Sequence, residues 1–228
     1  RALMVHGYKG FREWGNWKGL AQRWADAGWE VTRMDFSHNG HVPPFLEDCL
    51  DEEAWSENRY HMERDEVAFG LSTLAEPGIP MIVFGHSRGG AMAILGAHKH
   101  IEAGGALAGI VAWAPVSDVV DRLPKGEFLD RWKATNRMEV VNGRTGQVLS
   151  HPFAFYQETM SMADELNVET AVKKLTCPIL VVHGDEDNAV DVTEGKDIAD
   201  WAERADMILE GEEVEFVMEL KYDGVAIA

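Results

Sequence analysis

Continuous apolar runs alternate along this chain with apolar residues at helical spacing, and that alternation predicts its architecture. Ala2, Leu3, Met4 and Val5 form the first run and end at His6-Gly7-Tyr8. Trp17, Leu20, Ala21, Trp24 and Ala25 then recur at helical spacing, with Gly28 as a stop signal. Trp29, Val31, Arg33, Met34 and Asp35 read as the next strand. The stretch from Cys49 to Asp65, with Asp51, Glu52, Glu53 and Glu57, reads as a charged surface segment leading into a helix from Asp65 to Leu74. Met81, Ile82, Val83 and Phe84, bounded by Pro80 and Gly85, have the look of a strand buried on both faces. Leu107 to Ala112 and Cys177 to Val182 repeat that pattern, and a helix from Ile198 to Ala205 leads to a last strand starting over Met207 to Leu209. The predicted fold class is α/β, a mostly parallel sheet with helices on both faces. From Asp118 to about Thr170 the rhythm breaks. Charges and glycines are interspersed there with Phe128, Leu129, Trp132, Phe153, Phe155 and Tyr156.

The chemistry-bearing stretch follows the run at Met81. Gly85-His86-Ser87-Arg88-Gly89-Gly90 separates a strand from the helix formers Ala91, Met92, Ala93 and Leu95. Gly-x-Ser-x-Gly between strand and helix is a nucleophile turn, which lifts the serine hydroxyl clear of the sheet. Side chains at Gly85 and Gly89 would collide as the helix folds back past the strand. The first backbone N–H groups of that helix point at the same spot, where they stabilise developing negative charge.

On GHSRGG, the sequence resembles the α/β-hydrolase superfamily over about residues 1–210, nearest to small serine esterases and serine aminopeptidase-like hydrolases. The resemblance implies an α/β-hydrolase fold with Ser87 as nucleophile. Strand followed by His6-Gly7 is how that family's oxyanion loop begins, which assigns the backbone N–H groups of Tyr8 and Arg88 as oxyanion donors. His183-Gly184 and Val190 frame Asp187 as the acid of the triad, with Asp185 as the fallback. DFSHNGH, after the strand ending at Asp35, resembles the corresponding family loop. The irregular stretch about 118–170 corresponds to a cap insertion over the active site, and its aromatics serve equally well as anchors to the core. The implied domains are 1–211, a hydrolase domain carrying this cap, and 212–228, an atypical tail.

One part of the family pattern is missing. The triad histidine belongs in a loop after the last strand, and no histidine follows His183. Residues 212–228 instead resemble the adenylation motif of NAD-dependent DNA ligases, with Glu219, Lys221, Asp223 and Gly224 matching and Lys221 in the nucleophile position. Such a lysine needs a nucleotide pocket built by a whole domain, which this segment cannot supply. The expectation is a replaced or cut C-terminus, or an apolar strand that completes the sheet edge.

Composition narrows the function classes. Thirty-nine acidic against 21 basic side chains leave a net charge of −18, which repels nucleic acid and anionic membranes. No apolar run approaches the ~18 residues of a membrane span. Cys49 and Cys177 are the only cysteines and lie far apart, so neither a disulfide framework nor a zinc site is expected. His38 and His41 flank Asn39 and Gly40 in a loop, which reads as a solvated turn rather than a metal site. No metal or cofactor is expected, and the expected partner is a small-molecule ester. A cytoplasmic location is the default. The chain starts at Arg1 rather than methionine, so an N-terminal piece is expected to be missing and secretion stays open. The function expected is ester hydrolysis through an acyl-enzyme, impaired by the missing histidine. Two alternatives remain: a non-catalytic binding protein on the same fold, or a peptidase or acyltransferase using the same site.

Overall fold

The computed structural model describes residues 1–45, 47–210, 220–222 and 225–227. Ala2–Val5 forms β1, Trp17–Asp26 α1 and Val31–Arg33 β2. Glu52–Glu57 (α2) and Tyr60–Leu74 (α3) precede Ile82–His86 (β3), Arg88–Glu102 (α4) and Gly109–Trp113 (β4). Next come Glu127–Thr135 (α5), the antiparallel pair Met138–Val141 (β5) and Val148–His151 (β6), Ala154–Ser161 (α6) and Val168–Lys174 (α7). Ile179–Gly184 (β7), Val192–Trp201 (α8) and Ala205–Glu210 (β8) follow, and Leu220–Tyr222 (β9) and Val225–Ile227 (β10) come last.

Six strands pair in the order β2-β1-β3-β4-β7-β8, and every pairing among them is parallel. Side-chain alternation along each strand covers both faces. Leu3, Val5, Val83, Ile110, Ala112 and Val181 join one core cluster with Val67 and Leu71 of α3, Ala93 of α4, Val172 of α7 and Ile198 of α8. Ala2, Met4, Ile82, Phe84, Val111 and Val182 join a second with Trp17 and Trp24 of α1. The expected α/β-hydrolase architecture, a parallel sheet with helices on both faces, is what forms. Phe84, 1% exposed, meets both tryptophans edge-on at 5.6 Å, so Phe84→Ala costs about 3–5 kcal/mol.

Strand order positions the site. From β1 the chain crosses to β2 on one side, then returns to β3 on the other. The carboxyl ends of β1 and β3 therefore flank a topological switch point, where open α/β sheets take ligands.

Several boundaries differ from the sequence-based expectation, among them Ala205, which begins β8 rather than ending the helix before it. α3 begins at Tyr60 rather than Asp65, and the charged stretch before it is only half a surface segment. Asp51, Glu52, Glu53 and Glu57 are exposed, but Cys49, Trp55, Asn58, Arg59 and Tyr60 are buried. α2 exists because the Asp51 carboxylate accepts from the Ala54 N–H at 2.9 Å, an N-cap hidden among other acids. α8 begins at Val192, well before Ile198, because Asp191 caps it through the Thr193 N–H at 2.9 Å. The strand pair β9–β10 is antiparallel and hydrogen-bonds within itself, not to the six-stranded sheet. Glu219, Asp223 and Gly224 of the ligase-like motif lie outside the described residues, as does 211–219, where the triad histidine is due.

Candidate active site

β3 ends at His86 and α4 begins at Arg88, so Ser87 makes the turn. Its backbone sits at φ 56° and ψ −123°, a region that costs a non-glycine residue about 1–3 kcal/mol. Neighbouring backbone holds it there. The Ser87 N–H donates to the Trp113 carbonyl at 2.8 Å, and the Ser87 carbonyl accepts from Gly90 at 2.9 Å and Val116 at 3.2 Å. Close approach of α4 to β1 and β3 requires the flanking glycines. A Cβ at Gly85 would lie 2.2 Å from the Gly89 carbonyl oxygen, and one at Gly89 2.2 Å from that of His6. The loop after β1 reaches the same turn, since a Cβ at Gly7 would fall 3.1 Å from Ser87 Cβ.

Ser87 lines a cavity of about 380 Å³ with Tyr8, Arg88, Leu123, His151 and Val190. Beneath it the Arg88 guanidinium is buried. Its Nε donates to Glu63 Oε2 at 2.9 Å, and the other Glu63 oxygen accepts from Asn58 Nδ2 at 2.7 Å. The guanidinium carbon lies 4.2 Å from the Tyr60 ring centroid, 4.7 Å from Tyr8 and 5.8 Å from Phe155. Burial pushes the Glu63 carboxyl up, and Arg88 pulls it back down. Arg88 Nη2 has no hydrogen-bond partner among the described residues.

His151, brought in by β6, stacks between Trp55 at 5.3 Å and Phe155 at 4.7 Å. Its Nε2 shares a hydrogen bond of 2.9 Å with the Tyr8 hydroxyl. Burial, with Arg88 nearby, pushes its pKa down to about 3, so the ring is neutral at pH 7. Burial also raises the Tyr8 hydroxyl well above the ordinary phenol range.

Asp187 sits in the loop after β7. Its Oδ1 accepts from the N–H groups of Ala189 at 2.7 Å and Val190 at 3.0 Å, and Oδ2 lies 4.0 Å from His183 Nε2. His183 is buried and its Nε2 shares a hydrogen bond with the Val190 carbonyl at 2.9 Å. Val190 lines the Ser87 cavity and Asp187 does not. Asp185 is exposed. His86 packs against Trp113 at 4.7 Å and Trp17 at 6.3 Å, outside the lining of the Ser87 cavity. Burial lowers its pKa to about 4 although Asp187 pulls the other way. His6 Nδ1 shares a hydrogen bond with the Gly7 carbonyl at 2.9 Å, and its Nε2 lies 3.2 Å from Asn39 Nδ2. Of the two loop histidines, His38 is half-buried, whereas His41 is buried and stacked on Phe11 at 4.4 Å, so the loop is not the solvated turn expected from the sequence.

Sequence reasoning used Arg88 only for its backbone and missed its side chain, Glu63 and His151. A single signal was available: a cation directly after the turn serine, entering a buried helix, needs a buried carboxylate. Nothing in the sequence pointed from His151 to Ser87, because that contact depends on how the β5–β6 pair folds back.

A six-stranded parallel sheet, covered on both faces and carrying a serine on a left-handed strand-to-helix turn, defines an α/β-hydrolase scaffold. The sequence profile of the alpha/beta hydrolase family matches residues 2–220, and the chain belongs to that family. Comparison with curated proteins gave no match. Among solved structures, the fold is similar to Est1E from Butyrivibrio proteoclasticus with ferulic acid bound: TM-score 0.69, 16% identity, 92% of this chain and 78% of that one. It is also similar to mouse alpha/beta hydrolase domain-containing protein 10 (TM-score 0.70, 21% identity, 91% and 78%). A third similar structure is the Paleococcus ferrophilus monoacylglycerol lipase (TM-score 0.64, 15% identity, 92% and 84%).

Proposed function

We propose that this chain is a serine hydrolase that cleaves carboxylic esters through an acyl-enzyme on Ser87. The observation that carries the reading is the Ser87 turn, whose unfavourable φ of 56° is maintained by backbone hydrogen bonds and two close-packed glycines beside a cavity. Ser87 Oγ attacks the ester carbonyl carbon and passes its proton to a solvent water. The tetrahedral oxyanion takes hydrogen bonds from the Tyr8 and Arg88 N–H groups. Arg88 opens α4, so its N–H has no carbonyl partner within that helix, and the Gly7–Tyr8 loop borders the serine. Collapse releases the alcohol, which takes up a proton, and water then frees the acid from Ser87. Asp187 is the acid that would orient and stabilise a protonated imidazole.

The proton acceptor is the weak point of this chain. His86 and His151 have pKa values pushed down to about 4 and about 3, so neither takes a proton readily. With Ser87 and Asp187 but no histidine beyond His183, a site of this kind retains about 10³- to 10⁴-fold over water from oxyanion stabilisation and binding. The test is hydrolysis of a nitrophenyl ester series by this chain, its Ser87→Ala variant, and a version with a histidine-bearing loop grafted after Gly211. Slow hydrolysis that Ser87→Ala abolishes and the graft raises by orders of magnitude is expected. Brisk hydrolysis abolished by His86→Ala or His6→Ala would show that the base is misassigned. His86 stands outside the lining of the Ser87 cavity and His151 Nε2 is engaged by the Tyr8 hydroxyl, which favours a second reading, an α/β-hydrolase-fold binding protein, under which the graft changes nothing.

Residues 118–170 are assigned as a cap within a hydrolase domain 1–211, with 212–228 as a separate tail. Leu123, Met138, His151 and Phe155, all from that stretch, line the Ser87 cavity. Replacing 138–151 by a short turn should change ester chain-length preference in the grafted enzyme. An unchanged preference rules the cap out.

A further inference from the structure

The charge around the Ser87 cavity is opposite to that of the chain. Net charge is −18, yet Lys9, Arg88 and Arg122 line the cavity and no carboxylate does. Arg88 is balanced by Glu63 at 2.9 Å, and Arg122 is paired with Glu194. Lys9 is balanced by nothing comparable: its Nζ donates to the Val141 carbonyl at 3.1 Å and makes no ion pair among the described residues. Arg144 packs beside it, donating to the Lys9 carbonyl at 2.6 Å, and also makes no ion pair among the described residues. One uncompensated cation, Lys9, thus stands at the cavity in a strongly acidic protein; Arg144 beside it does not line the cavity and has Glu47 nearby. Inside, Arg88 carries a buried guanidinium nitrogen, Nη2, with no acceptor among the described residues. Both Arg88 and Lys9 lie against the Tyr8 ring, at 4.7 Å and 5.8 Å from its centroid.

A buried charged donor without an acceptor is costly to leave unmade, and a rim cation left without a carboxylate attracts a mobile one. The three rings and Glu63 fix the guanidinium, so a ligand oxygen meets a preset donor rather than a mobile side chain. We propose that the Ser87 cavity selects esters that also carry a free carboxylate, held by Arg88 Nη2 and drawn in by Lys9. Glu63 and Glu194 offset two of the three lining cations and leave Lys9, while Asp187 borders the cavity, so the site suits a monoanionic carboxylate rather than a phosphate dianion. Apolar Leu123, Val119 and Phe155 take the carbon chain between ester and carboxylate.

This rests on the ester-hydrolase reading for where the ester sits, and the test is a binding measurement so that the two fail separately. Calorimetry on the Ser87→Ala variant compares benzyl hydrogen glutarate with the neutral benzyl methyl glutarate. The monoanion should bind about tenfold more tightly at low ionic strength, and 0.5 M salt, at which charges are screened within about 4 Å, should shrink the ratio. Adding Lys9→Met should reduce the ratio several-fold, and adding Arg88→Lys, which keeps the charge but loses the planar fork, should reduce it as well. Equal or tighter binding of the neutral diester overturns the proposal, as does failure of both ligands to bind at 10 mM. A ratio untouched by Lys9→Met overturns it too, even if Arg88→Lys does not fold. A carboxylate preference in a protein whose Ser87 never reacts would keep this inference and remove the ester-cleavage reading.

Discussion

Glu63→Gln probes the structure beneath the candidate nucleophile. The carboxylate is 4% exposed and the guanidinium 7%, so water compensates neither charge. Glutamine preserves the shape and one partner at Asn58 but leaves Arg88 as an uncompensated buried cation. Breaking a buried pair from one side costs about 3–5 kcal/mol. Three aromatic faces stay against the guanidinium in both proteins and keep the cost at the lower end of that range, about 3 kcal/mol. In a chain of this size 1 kcal/mol shifts Tm by about 2–4 °C, so Tm should fall by about 6–12 °C. Asp65→Asn is the control: its carboxylate, 43% exposed, pairs with Arg64 at 2.7 Å and Lys99 at 2.8 Å. Exposed pairs of that kind contribute below about 1 kcal/mol. Urea titrations of both variants at pH 7.5 give the comparison. If Glu63→Gln costs no more than Asp65→Asn, the Arg88–Glu63 pair is not the buried support described here.

Two further perturbations test the rest of the framework. Gly89→Ala places a Cβ 2.2 Å from the His6 carbonyl oxygen and 2.8 Å from that of Val5, both backbone atoms, so α4 must move off β1. A loss of about 3 kcal/mol in urea unfolding is expected, at the upper end of overpacking costs, and a loss under 1 kcal/mol would mean that α4 does not pack this closely. His6, His86 and His151 have folded pKa values near 4, 4 and 3, all lowered first by burial, against 6.5 for free histidine. The unfolded chain therefore binds more protons, and the stability these groups contribute is complete above pH 6.5 and lost as pH falls toward 4. Three such groups give a slope approaching about 4 kcal/mol per pH unit, visible as urea midpoints that fall between pH 7 and pH 5. Flat midpoints over that range would contradict their burial as neutral rings.

The fold was legible because both faces of the sheet are covered, which makes its strands continuous apolar runs that need no partner to be recognised. The turn was legible because Gly85, Ser87 and Gly89 stand within five residues of one another, although Gly89 also packs on the His6 carbonyl and Ser87 hydrogen-bonds to Trp113. Misread positions depended on partners distant in sequence. Glu63 looked like one more surface acid, although its partner is Arg88, and α2 was hidden because its cap, Asp51, stands in a run of other carboxylates. His151 drew no notice for the same reason: its hydrogen bond to Tyr8 spans most of the chain. Asp187 was assigned through a family motif. The structure shows its carboxylate engaged by the Ala189 and Val190 N–H groups and bordering the cavity rather than lining it.

The central claim is that Ser87 is a nucleophile, and covalent labelling tests it most directly. Incubation with a fluorophosphonate, followed by intact-mass and peptide mass spectrometry, should show one slow adduct on the peptide carrying Ser87. The adduct should be absent in Ser87→Ala and should form orders of magnitude faster once a histidine loop follows Gly211. An adduct on any other residue would contradict the account, as would a chain that stays unlabelled after the histidine is supplied.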